Sequence, residues 1–188
     1  MGEPLIEDFD TLLDELCSSM EGWMDRPWAL FGHSMGATIA FEMARRLGPK
    51  GNLAGLFVSG ENAPGLPLPR IDPGELTDAE LVAQAQALGA ELSPAHAQHF
   101  LPRLRADLSV CATHNYVPEP LLECPLIVLG SDGDPLVPLS TLDQWRPLTT
   151  GECVTHPLEG GHFFLESDSS NVRAIIRHEL EERFASIV

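Results

Sequence analysis

With 188 residues, 44% of them hydrophobic, the chain is long enough to bury a core of its own and short for two, so one domain spanning 1–188 is expected. A formal net charge of −17, from 28 acidic against 11 basic residues, argues against sequence-independent nucleic-acid binding and against an anionic membrane surface. No apolar run approaches a membrane span, and Met1-Gly2-Glu3-Pro4-Leu5-Ile6 lacks the basic-then-apolar pattern of a signal peptide, so a cytoplasmic protein without membrane association is expected.

Ile6, Phe9, Leu13, Leu16 and Met20 recur at helical spacing and predict an amphipathic helix over 6–21. Arg26-Pro27 interrupts, and Trp28 to Phe31 is a short apolar run of buried-strand type leading into a turn at Gly32. A helix from Met35 to Leu47 follows, with Arg45 and Arg46 in its last turn, Gly48 expected at the left-handed stop position and Pro49 beyond it. Leu53 to Ser59 predicts a second buried strand, and Glu61 to Pro73 is so rich in proline and glycine that it predicts a loop.

Glu75 to Tyr116 predicts two or three helical pieces broken near Gly89 and Ser93-Pro94, with Leu76, Leu81, Val82 and Leu88 on one side and Phe100, Leu101, Leu104 and Leu108 further on. Pro125 to Gly130 predicts a third strand, ending in the polar turn Ser131-Asp132-Gly133-Asp134-Pro135. A short helix over 139–146, a strand over 152–156 and a loop at Glu159-Gly160-Gly161-His162 come next. A last helix over about 170–186 buries Val172, Ile175, Ile176, Leu180 and Phe184. Strands alternating with helices predict an α/β layer structure around a parallel sheet, whose ligands belong at the carboxyl ends of the strands.

Leu30-Phe31-Gly32-His33-Ser34-Met35-Gly36-Ala37 matches Gly-x-Ser-x-Gly, a strained strand-to-helix turn that lifts a serine hydroxyl above a sheet. The flanking glycines are expected to keep side chains out of the turn, so a bulky residue at 32 or 36 would block it. Ser34 is expected at the N-terminus of the following helix, where unpaired N–H groups and the dipole favour the negative charge of an acyl-transfer intermediate. A serine hydroxyl needs a neighbouring base, and a histidine base needs an acceptor to fix its tautomer. Asp134 follows the third strand and His162 the fourth, and the order Ser, Asp, His accompanies this turn in α/β-hydrolases. Asp132 competes with Asp134 for the carboxylate role.

The chain resembles the type II thioesterases of polyketide and nonribosomal peptide biosynthesis. The resemblance is carried by Gly32-His33-Ser34-Met35-Gly36-Ala37, Leu104-Arg105-Ala106-Asp107, Pro125-Leu126-Ile127-Val128-Leu129-Gly130 with Asp134-Pro135, and Gly160-Gly161-His162-Phe163-Phe164-Leu165. It implies an α/β-hydrolase fold, a mainly parallel sheet flanked by helices, with a helical lid inserted over about 61–117. It implies Ser34 as nucleophile, His162 as general base and then acid, Asp134 as orienting carboxylate, and the Met35 backbone N–H as an oxyanion donor. No bound cofactor or metal is implied. The substrate would be an acyl thioester on the phosphopantetheine arm of an acyl or peptidyl carrier protein domain of a synthase, in antibiotic-type biosynthesis.

Family members begin with further strands and a His-Ala-Gly-Gly-like loop whose N–H completes the oxyanion hole. Nothing in Met1 to Leu30 corresponds to them. The expectation is therefore a fold lacking its N-terminal strands and a competent triad with impaired catalysis, unless another segment or partner supplies the second donor. Two other readings stay open on these residues: a serine esterase acting on small oxygen esters, and an inactive half-domain acting through interactions.

The remaining conspicuous side chains have structural readings. His33 is expected to point away from Ser34 and pack, with polarisation of the site as the other reading. His96 and His99 lie one turn apart without companion ligands, which predicts a solvated face rather than a metal site. Trp23, Trp28 and Trp145 are expected as core or interface anchors. Phe100, Leu101 and Leu104 are expected to pack the lid, with an acyl channel as the other reading. Arg103 and Arg105 are expected on a solvated face, with a local basic spot for an acidic carrier as the alternative. Cys17, Cys111, Cys124 and Cys153 have no metal or dithiol spacing and are expected as reduced thiols.

Overall fold

The computed structural model describes residues 4–66, 73–90 and 94–184. The side chains of His96 and Phe184 lie outside the described residues. Four parallel strands, β1 (Trp28–His33), β2 (Leu53–Ser59), β3 (Leu126–Ser131) and β4 (Cys153–Leu158), form one sheet in the order β1-β2-β3-β4. The register pairs Phe31 with Phe57, Val58 with Val128 and Val128 with Thr155. Helices α1 (Phe9–Met20), α2 (Met35–Leu47), α3 (Asp78–Ala87), α4 (Pro94–Thr113), α5 (Phe164–Ser167) and α6 (Ser169–Phe184) complete the order.

The alternation of side chains along the strands builds the layers. Leu56, Val58, Leu126 and Val128 face Ala37, Ala40, Phe41 and Ala44 of α2 together with Trp145. Phe57, Ile127 and Leu129 face Phe164 and Val172 on the other side. Covered on both faces, β3 is buried at every residue, which is why it reads as a continuous apolar run. Helix α1 opens with the Asp8 carboxylate accepting the Thr11 N–H at 2.9 Å, and buries Phe9, Leu13 and Cys17 against Ile39, Met43 and Leu47 of α2.

Several local expectations are corrected. Gly48 does not take the left-handed position: it continues as right-handed backbone (φ −53°) into a 3₁₀ turn, Gly48–Lys50, and Gly51 supplies the positive φ of 96°. Pro49 in the first turn of that 3₁₀ piece needs no N–H, so the stop is delayed by one turn. The short helix expected over 139–146 is present, as a 3₁₀ run, Leu139–Leu148. Among the described side chains of α4 the buried ones are Ala106 and Val110, while Phe100, Leu101, Leu104 and Leu108 are half-buried. Part of the expected Glu61–Pro73 loop, 67–72, lies outside the described residues. No helix among the described residues is long and apolar enough to cross a membrane.

Candidate active site

The carboxyl end of β1 runs straight into α2 through one residue. Ser34 has φ 53° and ψ −131°, a conformation that costs a non-glycine residue energy and is held here by its neighbours. Its N–H donates to the Ser59 carbonyl at 2.8 Å, and its carbonyl accepts the Ala37 N–H at 2.8 Å, so the turn is tied to β2 and to the first turn of α2. A Cβ at Gly32 would overlap the backbone carbonyl of Gly36, and Gly32 is therefore required. The expectation for Gly36 is corrected: a Cβ there meets nothing within 4 Å. Met35 opens the helix, where first-turn N–H groups have no acceptor one turn back.

Ser34, Asp134 and His162 come from three strand ends and meet in one line. Asp134 Oδ2 lies 2.8 Å from His162 Nδ1, and His162 Nε2 lies 3.1 Å from Ser34 Oγ. A carboxylate can only accept, so Nδ1–H donates to Asp134 and Nε2 presents its lone pair to the serine hydroxyl. The other oxygen of Asp134, Oδ1, accepts the Leu136 N–H at 2.8 Å and the Val137 N–H at 3.3 Å. Asp134 and His162 are 6% and 3% exposed, whereas Ser34 is half-buried at the surface of the turn.

Asp132 is elsewhere. Its carboxylate accepts the Gly160 N–H at 3.2 Å, and with the Gly133 N–H on the Gly160 carbonyl and the Ser131 hydroxyl on the Gly161 carbonyl it zips the β3 loop to the β4 loop. Two aspartates two residues apart thus do different things: Asp132 aligns the loop that carries His162, and Asp134 meets the ring.

His33 packs, as expected, but not away from the site. Its ring lies 5.1 Å from the His162 ring and edge-on to Phe164 at 5.5 Å. Burial, then the neighbouring His162, pushes its pKa down to about 4, so the ring is neutral near neutral pH. Glu61 and Asn62, directly after β2, were not singled out by motif. The Glu61 carboxyl, accepting the Asn62 N–H at 2.9 Å, is pushed upward in pKa by burial and sits within electrostatic reach of His162. Asn62 donates to the Leu136 carbonyl at 2.9 Å and accepts the Thr141 hydroxyl at 3.1 Å, which braces the loop holding Asp134. The available signal was position alone, since polar residues at a strand's carboxyl end in a parallel sheet border its ligand site.

Arg105 is not a free basic spot. It donates to the carbonyls of Pro73 and Leu76 and to Asp78 Oδ1 at 2.6 Å, stitching α4 to the start of α3. Arg103 and His99 are exposed. Trp145 is fully buried with its N–H on the Glu61 carbonyl at 3.0 Å, and Trp28 is buried with its N–H on the Gly51 carbonyl. Trp23 is 75% exposed and anchors no core. Among the described residues, no group of three or more His, Cys, Asp or Glu side chains is arranged to hold a metal ion.

The family model described as "Thioesterase domain" matches residues 1–181. The chain belongs to the thioesterase domain family. Similar proteins include linear gramicidin dehydrogenase LgrE of Brevibacillus parabrevis, 35% identical over 95% of this chain and 72% of its own length. Among solved structures, the RedJ thioesterase of the prodiginine biosynthetic pathway in Streptomyces coelicolor is 34% identical with a TM-score of 0.83, covering 94% of this chain and 72% of RedJ. The type II thioesterase BorB from the borrelidin biosynthetic cluster is 34% identical with a TM-score of 0.84, covering 93% of this chain and 74% of BorB. The chain spans 60% to 72% of the length of the curated relatives that it first matches. Within the thioesterase family, the layered parallel sheet described above is the α/β-hydrolase fold, in agreement with the resemblance to type II thioesterases in the sequence.

Proposed function

We propose that this thioesterase-family chain hydrolyses acyl thioesters presented on the phosphopantetheine arm of acyl or peptidyl carrier domains, with Ser34 as nucleophile. The observation that carries the reading is the Ser34–His162–Asp134 line, 3.1 Å and 2.8 Å at its two links, at the carboxyl end of the sheet. His162 Nε2 takes the Ser34 proton as Oγ bonds to the thioester carbonyl carbon, and the carbonyl oxygen becomes an oxyanion beside the Met35 N–H. Collapse breaks the C–S bond, and the proton on His162 passes to the departing thiolate. Water then gives a proton to His162 and its oxygen to the acyl carbon, and the second collapse returns that proton to Ser34 Oγ and releases the acid.

In this cycle Asp134 holds Nδ1–H and offsets the imidazolium charge. No bound cofactor takes part: the acyl group arrives on the partner's arm. Helices α3 and α4, between β2 and β3, would serve as the lid that the resemblance implies. The name of LgrE is not carried across, because the turn after β1 is Gly32-His33-Ser34-Met35-Gly36 and not the Gly-x-Gly-x-x-Gly of a dinucleotide-binding turn.

The test compares an acyl-pantetheine thioester with its matched oxygen ester and uses a fluorophosphonate probe for the nucleophile. Ser34-dependent labelling, abolished in Ser34→Ala, and a higher kcat/KM on the thioester are expected, with turnover falling by at least about 10³ in the variant. Faster oxygen-ester turnover would replace the thioesterase reading by the esterase one. Folded protein without Ser34 labelling would leave only an interaction role.

A further inference from the structure

His33 carries more polar structure than a packing residue needs. Its Nδ1 lies 3.0 Å from the hydroxyl of Ser59, the residue whose backbone carbonyl accepts the Ser34 N–H. The ring is enclosed by His162 at 5.1 Å, Phe164 at 5.5 Å and Phe163 at 6.4 Å between centroids. Gly60, at φ +57°, leaves the space through which the ring passes: a Cβ there would stand 2.5 Å from His33 Cε1. The far nitrogen, Nε2, is sealed from solvent without an aligned hydrogen-bond partner.

A buried polar atom without a partner is costly, and a phenyl ring would remove that cost only by taking from the buried Ser59 hydroxyl the nitrogen it pairs with. The imidazole therefore does something that filling space does not. With the Ser59 hydroxyl donating to Nδ1, Nε2 carries the hydrogen, on a ring packed against that of His162. During acyl transfer the His162 ring must change partners, from the Ser34 oxygen to the leaving sulfur, without its backbone shifting. The low basicity of His33 also matters, since a second cation beside the His162 imidazolium would oppose its formation.

We propose that His33 is a positioning residue for the reaction: an imidazole, tied to the Ser59 hydroxyl, that holds the ring of His162 while that ring exchanges its proton between Ser34 and the leaving group. This rests on the reading of Ser34, His162 and Asp134 as the reacting set.

The test uses His33→Phe, which keeps a ring and removes the polar edge, and His33→Gln, whose amide keeps a polar group for the Ser59 hydroxyl. The whole chain is assayed for kcat and KM on an acyl-pantetheine thioester, for the rate of fluorophosphonate labelling at Ser34, and for thermal midpoint. His33→Phe is expected to fold with a cooperative thermal transition while kcat and labelling rate fall about 10- to 100-fold, with KM within about twofold. His33→Gln is expected to recover most of that loss. His33→Ala, which only empties space, is read in the same way if the phenylalanine variant does not fold.

Wild-type labelling at Ser34 that both His33→Phe and His33→Ala leave unchanged overturns this inference alone. A loss of kcat that follows only the unfolded fraction, or a glutamine variant no better than phenylalanine, also overturns it. Absence of Ser34 labelling in the wild type overturns the underlying reading, and this one with it.

Discussion

Gly32 and Gly36 flank Ser34 symmetrically in the chain but not in space. An added methyl at 32 would strike the Gly36 carbonyl and the Ala37 Cα, both backbone and unable to yield, while the same methyl at 36 enters open space on α2. Gly32→Ala is therefore expected to lose folded protein or Ser34 labelling altogether. Gly36→Ala is expected to fold and to gain about 0.5–1 kcal/mol from helix propensity. Denaturant melts with probe labelling check both, and a Gly36→Ala protein as damaged as Gly32→Ala would show that substrate space, not helix geometry, governs position 36. The same residue-scale view separates Asp134 from Asp132. Both follow β3, yet only the carboxylate that also accepts the Leu136 and Val137 N–H groups is held against His162.

At the scale of elements, the last helix is fastened by charge as well as by its apolar side. Glu179 of α6 is 6% exposed, accepts from His156 of β4 at 2.8 Å and pairs with Arg183, which also reaches Glu152 at 3.2 Å. Removing one member of a buried charge network strands the others. Glu179→Ala is expected to cost about 2–4 kcal/mol, which for a chain of this size lowers the thermal midpoint by about 5–10 °C. Glu152, with its side chain 69% exposed, is expected to cost under about 1 kcal/mol on the same substitution. Equal midpoints for the two variants would show that the α6 anchor is apolar only. The helical segment between β2 and β3 is fastened differently. Arg105 satisfies carbonyls at Pro73 and Leu76, and Thr77 with Glu80 forms a capping box at the start of α3.

At the scale of the whole molecule, the sheet is unequal at its two edges. β1 carries the Ser34 turn yet has a strand neighbour only in β2 among the described residues, and Phe31 on it is 40% exposed. An open strand edge with exposed apolar groups is a template for pairing with another chain. The charge of −17 works against such pairing, because like-charged copies repel until salt screens them. The polypeptide of these 188 residues is expected to self-associate reversibly in sedimentation experiments, more at 0.5 M salt (a Debye length of about 4 Å) than at 0.05 M. Phe31→Lys is expected to reduce the association. A monomer at every salt and concentration tested would show that the edge is protected.

The sequence by itself determined what depends on neighbours along the chain. The α2 bounds of Met35 and Leu47 and the β2 bounds of Leu53 and Ser59 were legible because helical periodicity, a buried apolar run and turn residues act within a few positions. The family was legible too, because its motifs are local strings around Ser34, Asp134 and His162. Tertiary structure alone decided that Asp132 is drawn off to the Gly160 N–H, that His33 is turned toward the site, that Arg105 is consumed in holding α3, and that Trp145 is core while Trp23 is surface. Each of these depends on a partner far off in the chain, and no spacing within a segment encodes which distant group will arrive to pair with a side chain or to cover it.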